Sequence, residues 1–165
     1  MRNNLAKLAK KIYMWRTIVF ILVLLIISTI VLTTRVTSPR LVDIERVAWT
    51  IYLEARGEPL AGMTAVASVI YNRAEGNVCR FNYVVTQPYQ FAGWDKNFNF
   101  AVPEDADAFS QAFSISYLMH HGEFTPTGTW NHFYNYKISP WWADGYKKTR
   151  IGNHVFVTID KKAKR

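Results

Sequence analysis

The chain has 165 residues and a formal net charge of +8, and this charge is unevenly distributed. Residues 1–40 contain seven Lys or Arg and no Asp or Glu, whereas residues 41–165 contain thirteen basic and twelve acidic residues. Nucleic-acid binding needs Lys and Arg clustered on the folded domain itself, so this distribution argues against nucleic acid as a partner. The length allows one domain of ordinary size plus an N-terminal extension.

An uncharged run, TIVFILVLLIISTIVLTT, follows a basic segment at residues 1–16. A run of this length predicts a transmembrane helix at residues 17–34. Under the positive-inside rule the basic segment stays in the cytoplasm, and everything after Arg35 then lies on the outer side of the membrane. We therefore expect a single-pass signal anchor in the inner membrane, with the C-terminal domain facing the periplasm.

A cleaved signal peptide and a buried core helix are the alternatives for this run. A signal peptide has a shorter apolar core and a small-residue cleavage site, and the segment TTRVTSPR contains no such site. A core helix usually has a polar face, which this run lacks. We interpret residues 35–40 as a short linker and residues 41–165 as one domain.

Helical spacing of apolar residues begins at Leu41 and predicts a helix that stops at Gly57, because Gly commonly ends helices. Two further helices are expected at residues 61–74 and 104–121, with an aromatic, turn-rich stretch between them. This stretch has room for one short strand at residues 83–86, and a last short strand is expected at 154–159. The predicted fold is mainly α with minor β.

Neither the single cysteine nor the four histidines predict a metal site or a nucleophile. Cys79 cannot form an intrachain disulfide, and we expect a small buried hydrophobe there. His120 and His121 end a predicted helix, which suits the surface. Zinc-binding spacing such as H-E-x-x-H and the G-x-S-x-G pattern are both absent from the sequence. We therefore expect no metal and no cofactor.

Two carboxylates, Glu54 and Glu58, flank the predicted end of the first helix. The negative end of the helix dipole and apolar neighbours both raise the pKa of a carboxyl group placed like Glu54. This shift brings the group toward the range that a general acid needs at neutral pH. Glu58 lies beyond the helix, where we expect it to be solvated or paired with Arg56. A charged helix end without a function is the alternative for both residues.

Aromatic residues are concentrated between residues 81 and 142, in segments that also contain Asn, Gln and Gly. Rings in such loops suit a groove that stacks on sugars and hydrogen-bonds to their acetamido groups. A loop-rich core held together by aromatic side chains is the equally common alternative.

Taken together, these segments resemble the SleB-type cell-wall hydrolase family, which includes spore-cortex-lytic enzymes and their phage and bacterial relatives. The similarity is carried by IYLEARGEPLAGMTAVASVIYNR, VVTQPYQFAGW and NHFYNYKISPWW…IGNHVFV, in that order, over residues 43–157. Leu53 and Val157 depart from the family pattern, as do the two residues before His132.

The resemblance implies a lysozyme-like domain that cleaves the glycan strand of peptidoglycan between N-acetylmuramic acid and N-acetylglucosamine. It implies a lytic transglycosylase with a single catalytic acid at Glu54, the residue that the helix-end argument also favours. Residues that bind the glycan or support the groove are implied at Glu58, Gln90, Phe91, His132, Tyr134 and Trp141.

Other functions remain open at the level of sequence. A peptidoglycan amidase or peptidase would act on another bond of the same polymer, and a membrane-anchored glycan-binding module would not cleave it at all. Both a phage endolysin that lyses its host and a bacterial wall-remodelling enzyme suit the expected topology.

Overall fold

The computed structural model describes residues 2–37, 41–91 and 102–160, and the chain divides into two compact units. The first unit contains one helix, α1 (Arg2–Thr37). The described part of the second unit contains four helices, α2 (Leu41–Ala55), α3 (Leu60–Arg73), α4 (Val78–Thr86) and α5 (Ala106–His120). It also contains three strands and a short 3-10 helix, which are β1 (His132–Asn135), η1 (Trp141–Ala143), β2 (Lys148–Ile151) and β3 (His154–Val157).

The predicted transmembrane anchor at residues 17–34 is not supported by α1. Within the described parts of the chain, no helix combines the length and the apolar character needed to cross a membrane. Residues 30–34 of the predicted span lie outside those whose side chains the structure describes. The domain boundaries drawn around this span remain predictions.

The core of the second unit lies between its four helices. The apolar residues of α2 recur every three or four positions, so one face of this helix is buried against α3, α4 and α5. Polar side chains cap α4 and α5. Asn77 accepts a hydrogen bond from the Cys79 N–H at the start of α4. Asp105 does the same for the Ala108 N–H at the start of α5, at 2.9 Å.

The three strands form an antiparallel sheet in the order β1–β3–β2. Alternate side chains of a strand point to opposite faces, so the register separates two sets of residues. Phe133, Phe156 and Ile151 pack on the helical core. Tyr134 and Val157 lie on the opposite face, where they pack with η1 and the residues around it.

The expectation of a mainly helical fold with minor β structure is confirmed, but several local predictions were wrong. Residues 83–86 belong to α4 and not to a strand, because Phe81, Val84 and Val85 share one buried helical face. Cys79 is exposed in the first turn of α4. His120 is buried instead of exposed, since its ring packs edge-on against Phe81.

Candidate active site

A groove runs along the side of the domain where α3, α4 and β1 meet. We define the groove as two neighbouring clefts that share His132 and Ile159. The polar cleft has a volume of about 410 Å³ and is lined by Asn72, Arg73, Arg80, Tyr83, Val84, Gln87, Gln90 and Asn131 together with the shared residues and Asp160. The aromatic cleft, about 480 Å³, is lined by Trp141, Trp142 and Tyr146 in addition to the shared residues.

Arg73 stands in the wall of the polar cleft, in the last turn of α3. Its Nε donates to the carbonyl oxygen of Asn131 at 2.6 Å, and its Nη1 donates to Oε1 of Gln90 at 3.1 Å. The guanidinium lies 5.2 Å from the centre of the Phe91 ring. Burial lowers the pKa of Arg73, and the negative charge of Glu54 opposes this effect. Arg73 therefore links the groove to the predicted catalytic acid.

Glu54 lies in the last turn of α2, as the sequence predicted, and its side chain is half-buried. It is close enough to Arg73 for its charge to act on the guanidinium. Among the described residues that line the two clefts, Glu54 is not found. The structure thus places this carboxylate beside a groove residue. A neighbouring guanidinium favours the ionised form of a carboxyl group, which is the opposite of the helix-end effect.

His132 occupies the boundary between the two clefts, and its tautomer follows from its neighbours. Its Nδ1 lies 2.8 Å from Oδ1 of Asn131. That oxygen also accepts the Ile159 N–H, while the Asn131 Nδ2 donates to the Ile159 carbonyl, so the amide orientation is fixed. The Nδ1 of neutral His132 therefore carries the proton, and Nε2 is free to accept one. Burial and the charge of Arg73 lower the pKa of His132.

Glu58 is not solvated and does not pair with Arg56, so this prediction was wrong. Arg56 instead forms an exposed ion pair with Glu104 at 2.6 Å. The Glu58 side chain is only 6% exposed, and its Oε2 accepts a hydrogen bond from the Asn153 N–H at 2.8 Å. The contacts Arg56–Glu104 and Glu58–Asn153 each join residues far apart in sequence, which is why local patterns did not reveal them. A carboxylate so enclosed is not available to a glycan at the surface.

The remaining residues implied by the resemblance fall into two groups. Gln90 lines the polar cleft, and Trp141, with 79% of its surface exposed, lines the aromatic cleft. Phe91 and Tyr134 are buried behind the groove, where they support its walls. Sequence reasoning did not single out the groove residues Arg73, Asn131, Trp142 and Tyr146, although all four fall within or beside the quoted motifs.

No cluster of metal ligands marks the site in the parts of the chain that the structure describes. Nowhere among these residues do three or more His, Cys, Asp or Glu side chains lie close enough together to share one ion.

A family model described as Cell Wall Hydrolase matches residues 57–157. The chain belongs to the cell wall hydrolase family. This match confirms the resemblance recognised in the sequence. It begins after Glu54 and includes Glu58, Arg73 and all the residues that line the groove up to Trp142 and Tyr146.

Two solved structures are similar to this domain. One is the catalytic domain of the Bacillus cereus SleB protein, with 27% identity, a TM-score of 0.54, and coverage of 70% of this chain and 89% of that one. The other is the catalytic domain of the germination-specific lytic transglycosylase SleB from Bacillus anthracis, with 25% identity and a TM-score of 0.56. It covers 73% of this chain and 97% of that one. No protein with a curated description matches this chain significantly.

Proposed function

We propose that this cell wall hydrolase cleaves the bond between N-acetylmuramic acid and N-acetylglucosamine in peptidoglycan, as a lytic transglycosylase with Glu54 as its catalytic acid. Family membership supports a peptidoglycan-degrading activity, and the described activity of the Bacillus anthracis relative supports the reaction type. The observation that carries the assignment of the acid is the position of Glu54, half-buried in the last turn of α2 and near enough to the groove residue Arg73 for the two charges to interact.

In the proposed reaction, the Glu54 carboxyl group first donates its proton to the bridging oxygen. The bond between that oxygen and C1 of the muramic acid then breaks, which leaves an oxocarbenium-like centre at C1. The resulting Glu54 carboxylate takes the proton of the muramic acid 6-hydroxyl, whose oxygen attacks C1 and closes a 1,6-anhydro ring. This route needs one carboxyl group, whereas most glycosidases use two.

Arg73 suits the second half of this sequence. Once Glu54 has given up its proton, the carboxylate is stabilised by the positive charge beside it. The hydrogen bonds to Asn131 and Gln90 hold the guanidinium in place during this change. The positive charge is therefore already in place when Glu54 becomes a carboxylate, and no rearrangement of solvent is needed to stabilise it.

The side chains that line the groove are of the kinds that bind sugars. The aromatic cleft offers an exposed indole on which a pyranose ring can stack, while the polar cleft offers the Gln87 and Gln90 amides for acetamido groups. The two clefts have His132 and Ile159 in common, and we propose that one strand runs across these residues from one cleft to the other.

Replacing Glu54 with Gln tests the assignment directly. We expect the variant to fold normally and to lose clearing of peptidoglycan in a zymogram, because the amide cannot supply the proton. Glu45→Gln is the matched control, since Glu45 lies at the other end of the same helix. Full activity of Glu54→Gln, or equal loss in both variants, would contradict the proposal.

Product analysis separates the remaining chemistries. Mass spectrometry of digested sacculi should show 1,6-anhydro ends if the enzyme is a transglycosylase, and reducing ends if it is a hydrolase. An amidase or peptidase would release peptides and leave the glycan strands intact, and chelator sensitivity would point to metal-dependent cleavage. A glycan-binding module would be retained on sacculi without releasing any product.

The location of the substrate leads to a proposal about where the domain works. Peptidoglycan lies outside the cytoplasmic membrane, so we propose that residues 41–165 act on that side, in a phage-infected host or as part of a bacterial wall-remodelling system. Protease added to intact spheroplasts should digest this domain in the full chain. Protection of the domain until the cells are lysed would contradict this placement.

A further inference from the structure

Glu58 carries an almost completely buried carboxylate in the short segment between α2 and α3. Its Oε2 accepts the Asn153 N–H at 2.8 Å, and its Oε1 lies 3.9 Å from Nδ1 of His154. Both partners belong to the turn and strand that follow β2. Burying a carboxylate costs free energy unless its oxygens are satisfied. The contacts of Glu58 with Asn153 and His154 therefore offset a cost of burial that a carboxylate on the surface does not have.

Two glycines next to Glu58 leave space for its side chain because they lack a Cβ atom. A Cβ atom on Gly152 would overlap Oε2 of Glu58, and one on Gly62 would lie 2.7 Å from the Glu58 Cβ. Gly152 belongs to the turn between β2 and β3, while Gly62 lies in the first turn of α3. The Glu58 side chain is thus enclosed by the first turn of α3 and the turn between β2 and β3, which are distant in sequence. The length of the side chain matches the gap between these two elements.

A series of ring contacts connects this carboxylate to the groove. The His154 ring packs edge-on against Phe133, with ring centres 5.1 Å apart. Phe133 lies next to His132 in β1 and 6.4 Å from the ring of Phe91. The Phe91 ring in turn lies under the guanidinium of Arg73. A displacement of the turn between β2 and β3 therefore reaches the wall of the groove through packed side chains.

We propose that Glu58 is a positioning residue whose carboxylate fastens the turn between β2 and β3 to the start of α3. It thereby fixes the groove wall that carries His132 and Arg73. Glu58 itself makes no contact with the glycan and takes no part in the proton transfers. The inference rests on the proposed function only for its kinetic readout.

Two substitutions of Glu58 separate the effect of side-chain length from the effect of charge. Glu58→Gln keeps the length of the side chain and an oxygen that can accept the Asn153 N–H, but it has no charge. Glu58→Asp keeps the charge but is one methylene too short to make the same hydrogen bond. We expect the Gln variant to retain activity close to that of the wild type. In the Asp variant we expect kcat/KM to fall by about tenfold to a hundredfold, mostly through a higher KM, because a groove wall displaced by a fraction of an ångström binds poorly.

The kinetic experiment uses the full chain and soluble glycan strands with intact peptide stems. Glu104→Asp is the matched control, since Glu104 is exposed and pairs only at the surface in the described structure. An inactive but folded Glu58→Gln variant would overturn the proposal, because the charge would then take part in the reaction. Wild-type kinetics in Glu58→Asp would overturn it as well, because the length of the side chain would then have no effect on the groove.

Hydrogen exchange of the Asn153 amide tests the contact without any activity. We expect slow exchange in the wild type and in Glu58→Gln, and fast exchange in Glu58→Asp. Fast exchange in the wild type would refute the proposed fastening even if no variant could be purified. If the wild type cleaves no glycan, the proposed function fails, and the affinity of the same variants for intact sacculi replaces KM.

Discussion

The Nε of Arg73 donates a hydrogen bond to the carbonyl oxygen of Asn131 at 2.6 Å, which ties the end of α3 to the residue before β1. The same guanidinium reaches Gln90 through Nη1. Two donors of one planar group therefore hold two separate chain segments at the groove. A lysine ammonium at the same place cannot reproduce this arrangement, because it is a single point of charge on a flexible stem.

For Arg73→Lys we expect at least a tenfold loss of kcat/KM together with a stability loss of about 1–2 kcal/mol. Urea unfolding and the rate of sacculus clearing measure the two effects. Arg46→Lys is the control, since Arg46 also bonds a side chain, Asn82, but does not belong to the groove. Unchanged activity in Arg73→Lys would show that the second anchored donor is unnecessary.

Trp141 should matter for binding far more than for folding. Because 79% of its surface is already exposed, Trp141→Ala should change the free energy of unfolding by less than about 0.5 kcal/mol. Loss of a stacking platform should weaken binding to glycan strands by about 0.5–1.5 kcal/mol. Isothermal titration with chitooligosaccharides measures this effect, and Tyr117→Ala on α5 provides an exposed aromatic control. Equal affinity in Trp141→Ala and the wild type would remove Trp141 from the binding site.

Two glycines with left-handed backbones allow the Glu58 contact to be measured as a stability difference. A Cβ atom added to Gly145 (φ 80°) would have no neighbour within 4 Å, so Gly145→Ala should cost only the backbone strain, about 1–2 kcal/mol. Gly152 (φ 59°) has the same strain plus the overlap with Glu58, so Gly152→Ala should cost about 1–3 kcal/mol more.

The double variant Gly152→Ala/Glu58→Ala then provides the internal check. Removing the Glu58 carboxylate also removes the overlap, so the two substitutions together should cost less than the sum of their separate effects. Thermal unfolding of the four proteins gives this coupling. Strict additivity would mean that the turn moves away from Glu58 at no cost.

Buried histidines should make the domain less stable in acid. Burial lowers the pKa of His120 below the ordinary value of 6.5, so the unfolded chain binds its proton more readily than the folded domain does. Stability is therefore fully present above pH 6.5 and is lost as the pH falls from there toward the lowered pKa, by at most about 1.4 kcal/mol per pH unit for one group. His132 and His154 have pKa shifts in the same direction and add to this slope.

The contribution of His120 can be isolated because its ring position is well defined. Its Nδ1 bonds to the Ser116 carbonyl oxygen at 2.8 Å, so a further proton must go to Nε2, which is buried without a hydrogen-bond partner among the described residues. We expect His120→Phe to flatten the dependence of unfolding free energy on pH between about 7 and 5, the range of ordinary histidine titration. The same slope in His120→Phe and in the wild type would contradict this assignment.

The helices of the domain were largely predictable because the information that forms them is local. The apolar spacing of α2, α3 and α5 placed these helices to within a few residues, and Gly57 marked the break between the first two. The helix α4 was missed because its short apolar pattern lies in an aromatic, turn-rich stretch. Over so few residues, helical and strand patterns differ little.

The candidate site was predictable only in part. Position in the last turn of a helix distinguished Glu54 from Glu58, but the structure reverses the expected difference in burial, since Glu54 is half-buried and Glu58 is enclosed. The hydrogen-bond partner of Glu58 could not be predicted from the sequence, because it is a backbone N–H in a turn almost a hundred residues later. Backbone donors have no signature in a sequence.

The sequence by itself determined the family, the order of the motifs and the helical frame, since these depend on residue identity and short-range spacing. Only the tertiary structure decided which of these residues meet. It brought Arg73 of the groove wall within electrostatic range of Glu54, buried Phe91 and Tyr134 behind the wall, and enclosed the Glu58 carboxylate, which the sequence had placed at the surface. The physical reason is that burial and pairing depend on contacts between distant segments, and the packing of the sheet against the helices creates those contacts.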